Sequence, residues 1–487
     1  MNVNRYSKIA RICAGFWHTL DGVASDRKKS FKRRGVALLL VLTYIVVMAS
    51  TVLAGFLNSQ VSFSISANVR DDLKAYYKAK SALNLGRLML TYQYELEQDE
   101  FFGERLRKSN FQLYQIIDLL LTPFKTGIVS VDVPNADRTI ASYNLKEAGV
   151  DAMGDESGDF NVRVMPEAGR INLNKFANGV KQNDIYELCM MVANSEFDDL
   201  FNARSSLHSD RLSRMDQIAA LIDWVDADSE KTYINSDCKL EEASGDESGL
   251  YIDQRKKYKV KNAKFTTLDE LYEVAGFGDD LMEAFGETLT VYPVEKINVN
   301  LASAKVMYAA LCNSVEIDRA GIDSRIWACA DPTIGTQLLA LSMALEGYQQ
   351  FVSNPMNLLY LYTVENETSV IPGVVPNGTV VPFRNISEFY KVVKALTSDP
   401  ELLPKFLLYS PTAYIMFGDK ILTMTAAGLG LSNLTFNTSK LYANITTASP
   451  RVFRVVATGE YGDTKRTLTT VMDFNVTGGQ YLYWREY

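Results

Sequence analysis

Val36-Ala37-Leu38-Leu39-Leu40-Val41-Leu42-Thr43-Tyr44-Ile45-Val46-Val47-Met48-Ala49-Ser50-Thr51-Val52-Leu53-Ala54-Gly55-Phe56-Leu57 is an uncharged run of 22 residues, and its reading decides how the rest of the chain is placed. At about 1.5 Å of rise per residue, a helix of that length spans a hydrocarbon core of roughly 30 Å. Lys32, Arg33 and Arg34 stand directly before it, and the next charge after it is Arg70. Basic flanks stay cytoplasmic, so the remainder is expected on the periplasmic or exterior side. A secretory signal would have a shorter apolar core and a small-residue cleavage site behind it. Here a helical pattern continues instead: Val69, Leu73, Tyr76, Ala79, Leu83, Gly86 and Leu90 recur at three- and four-residue steps. Arg70, Asp71, Asp72, Lys74, Lys78 and Lys80 fall between them, facing water. One long helix is predicted, half in lipid and half packed on a soluble domain.

The 487 residues suffice for two or three packed domains, and a hydrophobic share of 47% supplies their cores. The net charge of -8 conceals a split. Residues 1–35 hold nine bases and two acids, which leaves 41 bases and 56 acids for the rest. An acidic body repels nucleic acid and tolerates divalent cations. Of the five cysteines, Cys13 lies in the basic stretch, and Cys189, Cys238, Cys312 and Cys329 allow two disulfides whose pairing spacing alone leaves open. Proximity favours Cys312 with Cys329. There is no CxxC, and the only histidines are His18 and His208, the latter read as a surface loop residue, so a zinc site is not indicated.

Beyond the helix, Phe111 to Leu121 reads helical, and Val129 to Val133 and Phe160 to Val164 alternate as strands. Residues 175–330 read mainly helical. Thr266 to Phe285 has the outline of a helix-hairpin-helix, with Thr267 and Glu270 as a capping box and Gly276 as the stop. Val299 to Ser303 opens another helix. No internal repeat is evident beyond these hairpin-like units near residues 266 and 298. Residues 331–445 alternate helical segments such as Ile334 to Tyr348 with Pro-, Asn- and Thr-rich loops, among them the triplets at Asn366, Asn377 and Asn385. The C-terminus is β: Val452 to Thr458, a strand carrying Arg466, Leu468, Thr470, Met472, Phe474 and Val476 on one face, and Tyr481 to Trp484. Such a meander needs a cover, and the N-terminal helix supplies one.

Asp223, Asp226, Asp228, Glu230, Asp246 and Glu247 form an acidic cluster. Hard oxygen ligands in a polar loop suit calcium, though the spacing is not that of an EF-hand; a solvated acidic loop is the competing reading. Phosphate binding by the hairpin is disfavoured, because Thr266 to Glu287 holds seven acids and no Lys or Arg. No Walker loop, dinucleotide fingerprint, nucleophile elbow or HExxH motif occurs, so no enzymatic activity is expected.

Five pieces in order resemble the general secretion pathway protein K family, the largest minor pseudopilins of type II secretion. They are Arg34-Gly35-Val36-Ala37-Leu38-Leu39, Gly169-Arg170-Ile171-Asn172-Leu173-Asn174, Leu221-Ile222-Asp223-Trp224-Val225-Asp226-Ala227-Asp228-Ser229, Leu268-Asp269-Glu270-Leu271 running into Ile297-Asn298-Val299-Asn300, and the β C-terminus with Tyr483-Trp484-Arg485-Glu486. The resemblance implies an α+β, pilin-like fold: a long N-terminal transmembrane helix, an antiparallel sheet, and a large helical insertion with hairpin (SAM-like) units. It divides the chain into a basic prepilin leader (1–35), the transmembrane part (36–57), a first pilin-like part (58–175), a helical insertion (176–330), a segment of unclear structure (331–445) and closing strands (446–487). It implies prepilin-peptidase cleavage between Gly35 and Val36, in preference to a plain signal anchor, and methylation of the Val36 amine. It implies calcium, with Asp226, Asp228 and Glu247 as ligands. The implied partners are the I- and J-type minor pseudopilins, the major pseudopilin, the peptidase and the inner-membrane secretion platform, with no nucleic acid. A minor pilin of a type IV pilus and a membrane-anchored DNA-uptake protein are the alternatives.

Overall fold

The computed structural model describes residues 33–100, 103, 112–126, 128–132, 139–144, 158–194, 197–202, 212–241, 245–252, 258–316, 329, 331–353, 382–399, 401–476 and 478–487. The basic stretch before Arg33, His208, and the triplets at Asn366 and Asn377 lie outside them. The chain divides into two compact units, one ending at Leu73 and one running from Lys74 to Tyr487.

The N-terminal helix is a single element, Arg33–Gln98. It is, among the described residues, the one helix long and apolar enough to cross a membrane. In its first part the hydroxyls turn inward to the backbone: Thr43 Oγ1 donates to Leu40 O (2.9 Å), Ser50 Oγ to Val47 O (2.8 Å) and Thr51 Oγ1 to Met48 O (2.9 Å). Self-satisfied polar groups of this kind are what a lipid environment requires.

In the second unit, Ala75, Ala79, Ala82, Leu83 and Leu90 of the same helix are buried. They face a four-stranded antiparallel sheet ordered Gln480–Glu486, Thr464–Asp473, Val452–Tyr461, Phe160–Pro166. The predicted meander is present, with the early strand Phe160–Pro166 added beside Val452–Tyr461. Period-two alternation sends Phe160, Val162, Val164, Val455 and Ala457 into one apolar core with the helix. Small residues allow close approach. A Cβ on Gly459 would sit 2.2 Å from Ala75 O and 2.3 Å from Ala79 N, so only glycine permits this crossing.

Everything between the two neighbouring strands Phe160–Pro166 and Val452–Tyr461 is one insertion. Its ends are tied where Glu167 N donates to Val452 O (2.9 Å). The Glu167 side chain, fully buried, accepts from Arg454 Nε (2.7 Å), Arg170 Nη1 (3.2 Å) and Thr290 Oγ1 (2.7 Å), joining sheet and insertion through one carboxylate.

The insertion consists of two copies of one plan, a repeat not evident in the sequence. The first opens with Ile171–Asn172, which pairs in parallel with Leu289–Thr290; the second opens with Ile297–Asn298, which pairs in parallel with Ile445–Thr446. Helix Gln182–Val192 in the first answers to Ala304–Ser314 in the second. Helices Arg214–Val225 and Pro332–Ser353 follow. Asn174 makes two hydrogen bonds to the backbone of Phe265 (2.9 and 2.7 Å), and Asn300 makes the same two to Phe383 (2.9 and 2.8 Å). The next amide, of Thr266 or Arg384, donates to Glu270 or Glu388, at 2.9 Å in both. The region 331–445 thus belongs largely to the second copy, and the division at residue 330 does not follow the structure.

Two expectations are corrected here. Thr266 to Phe285 is not a pair of α-helices but a 3₁₀ turn, Leu268–Glu273, and a short helix, Asp279–Phe285. The expected capping box does not form: Glu270 N donates to Thr267 O (3.3 Å) in the 3₁₀ turn and not to the Thr267 side chain, and the Glu270 carboxylate is held by Thr266 N and by Lys261. Gly276 does adopt a left-handed backbone, φ +87°.

Candidate metal centre

Helix Arg214–Val225 starts at Ser213, whose side chain forms a capping box with Asp216, and ends where Asp226 turns to extended backbone. Asp223 therefore sits in the last turn and Asp226 just beyond it. The chain then leaves in a loop and returns through the antiparallel bridge Glu230–Asp246, with Lys231 N donating to Gly245 O (3.2 Å), which places Glu247 beside the helix end. Asp223, Asp226 and Glu247 are all buried, and one carboxylate oxygen of each lies within 4.8 Å of the others.

Asp223 Oδ1 accepts from Thr232 N (2.7 Å). Asp226 Oδ1 and Glu247 Oε1 are buried with no hydrogen-bond partner. Burial pushes the Asp223 carboxyl up to about 6, against the opposing Thr232 hydrogen bonds and the charge of Lys231. Burial, then the charges of Asp228 and Asp223, pushes Asp226 up to about 7. Burial, then Asp223 and Asp226, pushes Glu247 up to about 7. Three carboxylates gathered in a low-dielectric pocket repel one another unless protonated or bridged by a cation. The unpartnered oxygens are hard donors of the kind that Ca²⁺ or Mg²⁺ takes. The residues fit a divalent ion.

Of the three expected ligands, Asp226 and Glu247 fall in this group, and Asp223 joins them. Asp228 lies outside it: its side chain is exposed, its Oδ1 accepts from Glu230 N (2.9 Å), and it acts on Asp226 through its charge. The distinguishing signal was available in sequence, since Asp223 lies in the apolar run Leu221 to Val225 whereas Asp228 lies in a polar loop.

The same copy carries a disulfide between Cys189 and Cys238, on the loop that leaves the carboxylates, and the second copy carries Cys312–Cys329, the pair that proximity favoured. Gly35 and Val36 lie in the first turn of the N-terminal helix, and Val36 is exposed. A groove of about 780 Å³ is lined by Lys175, Lys264, Lys296 and Arg451 among others. Lys175 is engaged by Glu187 and Asp184, and Arg451 by Glu97.

No family model matches the sequence, and no curated protein does. Among solved structures, the chain is similar to one from the GspK-GspI-GspJ complex of the enterotoxigenic Escherichia coli type 2 secretion system. The two share 10% identity with a TM-score of 0.41, over 87% of this chain and 99% of that one.

Proposed function

We propose that the chain is a minor pseudopilin of a type II protein secretion system, acting in the tip complex that initiates and caps the pseudopilus. The observation that carries this reading is one uninterrupted helix whose first part is apolar and outward-facing and whose later part beds small residues into an antiparallel sheet, with a large helical insert looped out between two neighbouring strands. The sequence pieces quoted above supply the rest. On this reading the peptidase cuts after Gly35, Val36 becomes the methylated terminus, and the body lies in the periplasm, anchored once in the inner membrane. The partners are the I- and J-type minor pseudopilins, the major pseudopilin and the secretion platform.

Leu40 supports a place at the filament end. It is the fifth residue counted from Val36, where most pilins carry a glutamate that offsets a neighbour's terminal amine. Leaving an amine unpaired in lipid is costly. A subunit with leucine there has nothing to offer a subunit above it, and a bulky insert is accommodated best where none follows. We further propose that the centre of Asp223, Asp226 and Glu247 holds calcium, bracing the insert and taking no part in a reaction.

N-terminal sequencing and mass spectrometry of the protein extracted from membranes test the assignment. A chain starting at N-methylated Val36 is expected. An intact basic stretch, or a terminus beyond Leu57, would refute it.

A further inference from the structure

The four-stranded sheet treats its two edges differently. At one, Phe160–Pro166 is flanked by helix Ile117–Thr126: Leu121 is fully buried in the shared core, and Lys125 lies over the Phe160 ring (5.5 Å) and reaches Asp159 (3.8 Å). At the other, Gln480–Glu486 pairs with Thr464–Asp473 on its inner side, and among the described residues no strand pairs with its outer side. The pairing shifts register between Val471 and Met472, so the regular edge runs from Tyr483 onward. One pair fixes which groups face out. Tyr487 N donates to Thr467 O (2.9 Å) and Thr467 N to Tyr487 O (3.2 Å). Antiparallel ladders alternate, so the N–H and C=O of Trp484 and Glu486 point away from the sheet. Such a row is a template for another strand, and proteins commonly block it with proline or lysine. Gln480 to Tyr487 contains neither. Its two charges are drawn aside and leave the edge open: Arg485 Nη1 donates to Asp269 Oδ2 (3.1 Å), and Glu486 Oε1 accepts from Trp484 Nε1 (3.0 Å).

Side chains set the kind of strand that fits. Glu486 opposes Leu468, Trp484 opposes Thr470 and Tyr481 opposes Met472; Leu468 and Met472 belong to the core under the N-terminal helix, so all three edge residues share the helix face. The Tyr481 and Trp484 rings lie 5.5 Å apart, with the Arg87 guanidinium 5.1 Å from the Tyr481 ring. Trp484 is nevertheless 40% exposed and Tyr481 37%, a large aromatic surface at the rim of a sheet. An added strand would set one side chain against the Trp484 ring and, two residues along, another beside the Glu486 carboxylate. An apolar residue suits the first and lysine or arginine the second. We propose that the outer edge of Gln480–Glu486 receives an extended segment of a partner protein, paired main chain to main chain, with apolar and basic residues alternating on its helix-facing side. Backbone pairing supplies the affinity, and Trp484 and Glu486 supply the preference. A second copy of this strand fits less well: it would bring another Trp484 and Glu486 to that face and no base.

The test titrates the full chain in detergent into a fluorescein-labelled peptide, Thr-Val-Thr-Lys-Thr-Val-Thr, and reads anisotropy. Two further versions are N-methylated, one on the odd and one on the even amides, which separates strand pairing from mere apolar contact. One version is expected to bind about tenfold or more weakly, because its edge-facing hydrogen bonds are lost, while the other binds like the parent peptide. Glu486→Lys is expected to weaken the parent peptide by about threefold, and a peptide with glutamate in place of lysine should recover the loss. Thermal melting checks that this variant folds, and the methylated pair decides the question without it. Absence of binding at millimolar peptide would overturn the proposal, as would equal binding by the two methylated versions. A concentration-dependent dimer in sedimentation, dissolved by Glu486→Pro, would give the edge to a second copy and overturn it as well.

Discussion

Asn174 and Asn300 hold the same post in two successive copies of one structural plan, each closing a two-hydrogen-bond bracket on the backbone of a phenylalanine, Phe265 or Phe383. The preceding asparagine of each copy repeats its own bonds as well. Asn172 Oδ1 accepts from Asn174 N (2.9 Å) and Asn298 Oδ1 from Asn300 N (3.0 Å). Duplication explains why a single antiparallel sheet carries so large an excursion: the insert has its own core and its own ladders.

Asn174→Ala and Asn300→Ala each strip a buried backbone N–H and C=O of their partners. Each is expected to cost about 2–4 kcal/mol. Because the brackets lie in different copies, the double variant should be near the sum of the singles. Denaturant unfolding of the three variants measures this, and strong non-additivity would mean that the copies share one bracket network.

Glu167→Gln leaves Arg454 and Arg170 facing a neutral amide at the root of the insert. Removing one partner from a buried ion pair costs about 3–5 kcal/mol. A drop of that size in chemical unfolding is expected, with Glu460→Gln, from the exposed pair with Lys465, as the mild comparison at below about 1 kcal/mol.

Gly459→Ala forces a methyl group against the backbone of Ala75 and Ala79. Overpacking of this kind costs about 3 kcal/mol. Gly249→Ala, where nothing lies within 4 Å, serves as control and should change stability by less than about 1 kcal/mol. Thermal melting of the two distinguishes a steric cost from a general glycine effect.

The carboxylate centre predicts opposite pH trends with and without cation. Carboxyls at about 6 and 7 in the folded chain titrate near 4 when unfolded. The folded state therefore holds protons more tightly, and its stability in chelator falls as pH rises from about 4 to 7. Calcium takes the deprotonated form, so its stabilisation grows over the same range. Melting temperatures at pH 5 and pH 8, in chelator and in millimolar Ca²⁺, should diverge as pH rises; parallel curves would contradict a metal role.

Much of this architecture was legible in the residues. The uncharged run, the heptad-like continuation through Leu90 and the alternation of the last strands are strong periodic signals, and all three appear as elements. The duplication was not, although Ile171-Asn172-Leu173-Asn174 and Ile297-Asn298-Val299-Asn300 share a pattern. Their matching partners, Phe265 with Glu270 and Phe383 with Glu388, follow at unequal intervals, and the shared residues are few. Thr267 and Glu270 have the spacing of a capping box, but Lys261 competes for the glutamate and the local chain is 3₁₀. At the carboxylate centre, the resemblance pointed to Asp228, whereas burial selects Asp223.

The crossing at Gly459 has a mechanical side. Where a strand rides on a helix main chain to main chain, the two interlock like a tooth in a notch, and the helix cannot creep along the sheet by a fraction of a turn without lifting off it. For a subunit of the proposed kind, hauled out of a bilayer by its helix, tension would pass at that tooth directly into the four strands. The cargo they bear would move with the shaft and would not lag behind it.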